Sequence, residues 1–162
     1  MNKIWAPWRM DYIRAPKEDG CIFCKKSQSR KDRDNLVLYR GKDSFVLMNL
    51  YPYTNGHLMI SPYNHTSDPG DISQTGNQEI MELANKSMKI LKKIMGAEGF
   101  NFGANFGKAG GAGIAEHIHF HIVPRWSGDT NFMPVVGQTK VHVQGLEDTY
   151  NNLISLFEKI EL

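Results

Sequence analysis

The chain has 162 residues, 41% hydrophobic and 22% charged, with a formal net charge of +2. That length suits one core-forming domain, and so small and mixed a charge excludes nucleic acid as the main partner. No run approaches a membrane span and the N-terminus lacks the apolar run of a signal peptide, so a cytoplasmic protein with no membrane partner is expected.

Residues 1–20 carry Trp5, Trp8 and Tyr12 among basic residues and two prolines, an arm whose aromatics are expected to pack on the body or on a second subunit. Cys21 and Cys24 are the only cysteines, spaced Cys-x-x-Cys. In a reducing compartment this reads as half of a zinc site that needs two ligands from elsewhere, not as a structural disulfide. Residues 25–35 are polar and are expected to form a solvated, mobile connector.

Residues 36–39 and 44–49 read as strands joined by a turn at Gly41, Lys42 and Asp43. A third strand, 57–60, is expected to end at Ser61-Pro62, because proline lacks a ladder donor. Between them 51–56 is turn-rich. Asn49, at a strand end, can bond a polar ligand or simply cap the turn. From Ser73 to Met95 the residues Ile80, Leu83, Ile90, Leu91 and Ile94 fall at helical spacing, with Lys89, Lys92 and Lys93 near the end and Gly96 as the stop. Gly76 blurs where the helix begins. A fourth strand follows at 100–105 and a fifth at 116–125. Residues 127–140 read as irregular, and Leu146, Tyr150, Leu153, Phe157 and Ile160 make a closing helix. This order predicts an α+β fold on an antiparallel sheet.

Within the fifth strand His117, His119 and His121 alternate with Ile118, Phe120 and Ile122. A period of two puts the imidazoles on one face and the apolar residues in the core, and Pro124 is expected to end the ladder. Just upstream, 105–114 is a glycine-rich loop able to bring backbone amides close to an anion. Two chemical readings follow. The three rings can hold one metal with an open position. Alternatively one ring is a nucleophile, with its neighbours binding phosphate and setting its tautomer.

His-x-His-x-His, two apolar residues and Pro124-Arg125 together resemble the signature of the histidine triad (HIT) family of nucleotide hydrolases and transferases. Segments 5–13, 49–57 and 131–136 and the Cys21/Cys24 pair are similar to one branch, the bacterial diadenosine tetraphosphate phosphorylases. The resemblance implies one HIT domain over 1–162, with the aromatic arm, a C-terminal extension and a two-fold homodimer formed through the sheets. It implies that His65 and His117 join Cys21 and Cys24 in a closed, structural zinc site. That would leave too few rings for a catalytic metal.

On the same resemblance His119 is the nucleophile towards an α-phosphorus and Asn49 holds a ribose. Asn105 and the backbone around Gly107, Gly111 and Gly113 stabilise phosphoryl oxygens, and His121 bonds a bridging or non-bridging oxygen. Ile114 stands where many hydrolytic members carry Ser or Thr, so leaving-group assistance falls to His121, the loop backbone or Lys108. The implied reaction takes diadenosine tetraphosphate and inorganic phosphate to ATP and ADP. Hydrolysis of dinucleoside polyphosphates or nucleoside phosphoramidates is the alternative, and a non-catalytic, zinc-stabilised nucleotide-binding scaffold is the third reading. A divalent cation accompanying the nucleotide is left open, and His57 and His142 are given no role.

Overall fold

The structure, a computed structural model, describes residues 20–130, 132–137 and 141–162. The aromatic arm and Asn131 lie outside the described residues. Five strands form one antiparallel sheet: β1 (Val37–Arg40), β2 (Ser44–Met48), β3 (Leu58–Pro62), β4 (Gly99–Ala104) and β5 (Phe120–Arg125), in the order β1-β2-β3-β5-β4. Helix α1 (Ile22–Gln28) precedes the sheet and α2 (Gln74–Met95) joins β3 to β4. A short α3 (Phe132–Val136) and the closing α4 (Leu146–Phe157) follow β5. The fold is α+β.

Every residue of β2 and β3 is buried, because both faces of these central strands are covered. On the helix side Val46, Leu58, Ile60, Ile118 and Ile122 pack with Ile80, Leu83 and Leu91 of α2 and with Leu153 and Phe157 of α4. On the opposite side Val37, Phe45, Leu47 and Met59 pack with Phe23 of α1. The β1–β2 turn is tied to α2 by Glu79, whose carboxylate accepts from the backbone N–H groups of Lys42, Asp43 and Ser44. Helix α2 begins where Ser73 Oγ accepts from Gly76 N–H at 3.0 Å and stops at Gly96, which has φ 61°. Gly76 lies inside the helix: a Cβ there would sit 3.1 Å from Ile72 Cγ2, so this close packing favours glycine.

Three expectations are corrected. Pro124 does not end its ladder, since it pairs with Phe100 and Arg125 follows it against Gly99, whereas Pro62 is the last residue of β3 and still pairs with Ser44. The β3–β5 ladder covers only Leu58–Ile60 against Phe120–Ile122, and both prolines lie just beyond it. Their carbonyls accept instead from side chains, His117 Nε2–H and Thr54 Oγ1–H. Each missing donor therefore faces a side where no ladder partner is required.

Nor are residues 25–35 a free connector. They include the end of α1, and Arg40 then gathers the carbonyls of Lys26, Ser27 and Ser29 and the carboxylate of Asp32. Finally, 127–130 and 132–136 are not irregular: the first is a 3-10 turn (Ser127–Thr130) and the second is α3. Among the described residues no helix is long and apolar enough to cross a membrane.

Candidate functional site

Alternation sets the site. Ile118 and Ile122 enter the helix-side core, so His117, His119 and His121 face the other way. Only His121 lies in β5 itself. His117, at a bend, and His119 precede it outside the strand, held where Ile118 N–H donates to the Thr66 carbonyl at 2.7 Å. Each ring then meets a different environment.

His119 Nδ1 lies 2.9 Å from the carbonyl oxygen of His117. A carbonyl only accepts, so Nδ1 carries the proton and Nε2 the lone pair. Phe23 backs the ring at 4.7 Å between centroids. Burial pushes the His119 pKa down, against the hydrogen bond to His117. The ring is therefore neutral at pH 7, with Nε2 available as a nucleophile.

His121 is fixed by a residue that sequence reasoning left without a role. His57, buried at the entry to β3, has Nε2 at 3.0 Å from His121 Nδ1. Tyr53 N–H donates to His57 Nδ1 at 3.1 Å, so the His57 proton sits on Nε2 and points at His121. His121 consequently accepts at Nδ1 and carries its own hydrogen on Nε2. Burial, then the charge of His119, holds the His121 pKa down at about 4. Strand register carried the missed signal. Met59 pairs with His121, and His57, two residues before Met59, stands on the same face as a diagonal neighbour.

Asn49 belongs to the same loop. Its Oδ1 accepts from Tyr51 N–H at 2.9 Å and its Nδ2 lies 3.4 Å from His57 Nδ1, so it braces the turn beneath these rings.

His117 faces the cysteines. Its Nε2–H donates to the Pro62 carbonyl at 3.0 Å, which turns the Nδ1 lone pair towards Cys21 Sγ (3.2 Å), Cys24 Sγ (3.6 Å) and His65 Nδ1 (3.2 Å). Cys24 Sγ lies 3.3 Å from His65 Nδ1, and all four ligand atoms fall within 4.8 Å of one another. Metal–sulfur bonds of about 2.3 Å and metal–nitrogen bonds of about 2.0 Å at tetrahedral angles give edges of roughly 3.3–3.8 Å, close to these separations. The four residues can hold a metal ion. In the chain alone burial and the adjacent Cys21 push the Cys24 thiol up, whereas a coordinated thiol is deprotonated. The Pro62 bond orients His117 as an outer partner orients a metal-bound imidazole.

Beyond His121 an open cleft of about 470 Å³ runs over β4 and β5, with Tyr53, Asn101, Asn105 and Arg125 on its walls. Asn105 thus joins His121. Gly107, Lys108, Gly111 and Gly113 do not line this cleft; they lie in the exposed loop leading away from Asn105. Within that loop Gly111 N–H bonds the Lys108 carbonyl and Ala112 N–H the Gly107 carbonyl. Ile114 packs against the Phe23 cluster. His142 is half-buried in the segment before α4.

The AP-4-A phosphorylase of Mycobacterium tuberculosis is 38% identical over 157 residues, covering 92% of this chain and 80% of the relative. The asymmetrical bis(5'-nucleosyl)-tetraphosphatase of Schizosaccharomyces pombe is 27% identical over 121 residues, 75% of this chain and 63% of that one. Among solved structures, a Zn-bound histidine triad family protein from Mycobacterium smegmatis superposes with a TM-score of 0.67 at 21% identity, over 86% of this chain and 94% of that one. The HIT domain model matches residues 30–128, the span from the approach to β1 through the alternating histidines to the turn after β5. The chain belongs to the HIT domain family.

Proposed function

We propose that the protein is a nucleotidyltransferase that cleaves dinucleoside polyphosphates through a nucleotidyl-His119 intermediate. The observation that carries this reading is the His119 Nδ1–H bond to the His117 carbonyl, which leaves Nε2 unprotonated on a rigidly backed ring. Nε2 attacks the α-phosphorus, and the bond from phosphorus to the departing polyphosphate breaks with its electron pair on oxygen. His121, neutral in the free chain, offers Nε2–H to that oxygen, and the charge of bound polyphosphate raises its hold on a proton. Asn105 and the loop amides around Gly107 and Gly113 receive the non-bridging oxygens, the Gly111 N–H being already bonded to the Lys108 carbonyl. Asn49 receives the ribose, with Lys108 as a further cation for the phosphates.

The acceptor is inorganic phosphate, so diadenosine tetraphosphate gives ATP on cleavage and ADP on release. Similarity to the mycobacterial AP-4-A phosphorylase supports this choice, as does the apolar Ile114 in place of a hydroxyl. Water is far more abundant than phosphate, so phosphorolysis requires that phosphate be bound and oriented. Zinc is the metal that fits Cys21, Cys24, His65 and His117, and as a closed four-ligand site it contributes folding stability. We assign the protein to the cytoplasm, as a homodimer.

Product analysis tests the reading. Diadenosine tetraphosphate with phosphate should yield ATP and ADP together, and turnover should nearly stop without phosphate. An acid-labile nucleotide should be trapped on the parent and not on His119→Ala. ATP and AMP formed at one rate with or without phosphate would make the protein a hydrolase.

A further inference from the structure

We propose that the cleft beyond His121 binds the nucleoside of the departing polyphosphate, with Tyr53 as its stacking platform. This rests on the reading of His119 as the nucleophile. Displacement at phosphorus is in line, so the leaving oxygen departs on the side away from His119 Nε2. The cleft continues from His121 past Val123 to Arg125, and His119 does not line it. Strand register puts Gly103 beside His121 and Asn101 beside Val123 on this face. No atom lies within 4 Å of where a Gly103 Cβ would stand, so the floor next to His121 is open. At about 470 Å³ the space suits one nucleoside with part of its phosphate chain, not a whole dinucleoside tetraphosphate.

The wall chemistry selects the ligand. Tyr53 is 53% exposed, yet its ring is backed by His57 at 4.8 Å and by His121 at 6.0 Å, so it stands firm while lining the cleft. A supported, exposed aromatic ring is what a base needs for stacking. Arg125 is already engaged, its Nε by Asp129 at 2.6 Å and its Nη1 by Asn101 Oδ1 at 2.9 Å. The far wall therefore offers polar groups with their charge largely compensated, which fits a base and ribose better than a bare phosphate. The phosphates stay nearer His121 and Asn105.

The test compares diadenosine tetraphosphate with adenosine 5′-tetraphosphate, which presents the same adenylyl group but a leaving group without a base. In the parent, kcat/KM should favour the dinucleotide by about tenfold or more, the worth of one stacked base. Tyr53→Ala should bring the two substrates within about twofold, and Tyr53→Phe should keep the preference. The backbone N–H that fixes His57 survives both changes. An equal loss on both substrates would mean that the ring only supports the His57–His121 pair, and no loss would leave the cleft without a role in binding. Either result overturns the proposal, as does a changed oligomeric state of Tyr53→Ala, which would make the cleft a contact between copies. If the parent turns over neither substrate, the reading of function fails. The cleft is then judged by ATP titration with AMP saturating: Tyr53→Ala should weaken ATP about tenfold, and unchanged affinity overturns the subsite.

Discussion

Replacing His57 by Ala should slow the chemical step about 5- to 150-fold while changing KM little. In the parent, His57 Nε2–H fills the His121 Nδ1 lone pair at 3.0 Å, which keeps the His121 hydrogen on Nε2. Without that donor the half-buried Nδ1 loses its partner, at a cost of up to about 1–3 kcal/mol. His121 relieves the cost by moving its hydrogen to Nδ1 or by turning its ring, and either move takes the hydrogen from the departing oxygen. A preference of about 1–3 kcal/mol for the wrong arrangement lowers the competent fraction by the factor stated, at about 1.4 kcal/mol per tenfold. The assay is steady-state turnover of diadenosine tetraphosphate, with a thermal melt beside it, because Tyr53 N–H also loses its acceptor. His57→Gln retains an amide donor and should recover part of kcat. A His57→Ala enzyme that melts lower but keeps kcat within threefold of the parent would refute the reasoning and leave His57 a structural residue.

Cys24→Ser should lose most of its metal on dialysis, melt below the parent and turn over more slowly, since the ring of His117 sits in the cluster while its carbonyl holds His119; full metal content would exclude Cys24 as a ligand. Stability should fall on acidification through a defined window. His121 is held at about 4 in the folded chain against about 6.5 when unfolded, so between these values the unfolded chain binds the extra proton. The contribution is whole above pH 6.5 and is lost towards pH 4; an His121→Asn melt with the same pH dependence as the parent would contradict it.

Much of the sheet could be read from sequence because alternation in 117–122 and burial in 44–48 answer to local pattern. The run of the ladder through Pro124 could not: whether a missing N–H matters depends on which neighbour has stopped pairing, and that neighbour is distant in the chain. Arg40 escaped notice for the same reason, since nothing local to 25–35 announces that a strand residue will collect its carbonyls. In the site, the join of Cys21 and Cys24 to His65 and His117 came from resemblance, and the geometry brings all four together. His57 looked solitary because its partner is 64 residues away and only register makes them neighbours.

Helix α1 is anchored at two points of different kinds. Its start carries Cys21 and Cys24 at the four-ligand cluster, and its end is gripped by Arg40 through three carbonyls. Phe23, between the cysteines, lies nearer the first anchor and rests on His119. Releasing the first anchor leaves the second, so the helix becomes a lever hinged at Arg40 instead of a loose end. On the proposed reading, removing a metal from the cluster would take one of the ties from Phe23 behind His119 while its packing with Phe45 and Leu47 and the Arg40 anchor remain, so turnover should fall before the fold is lost.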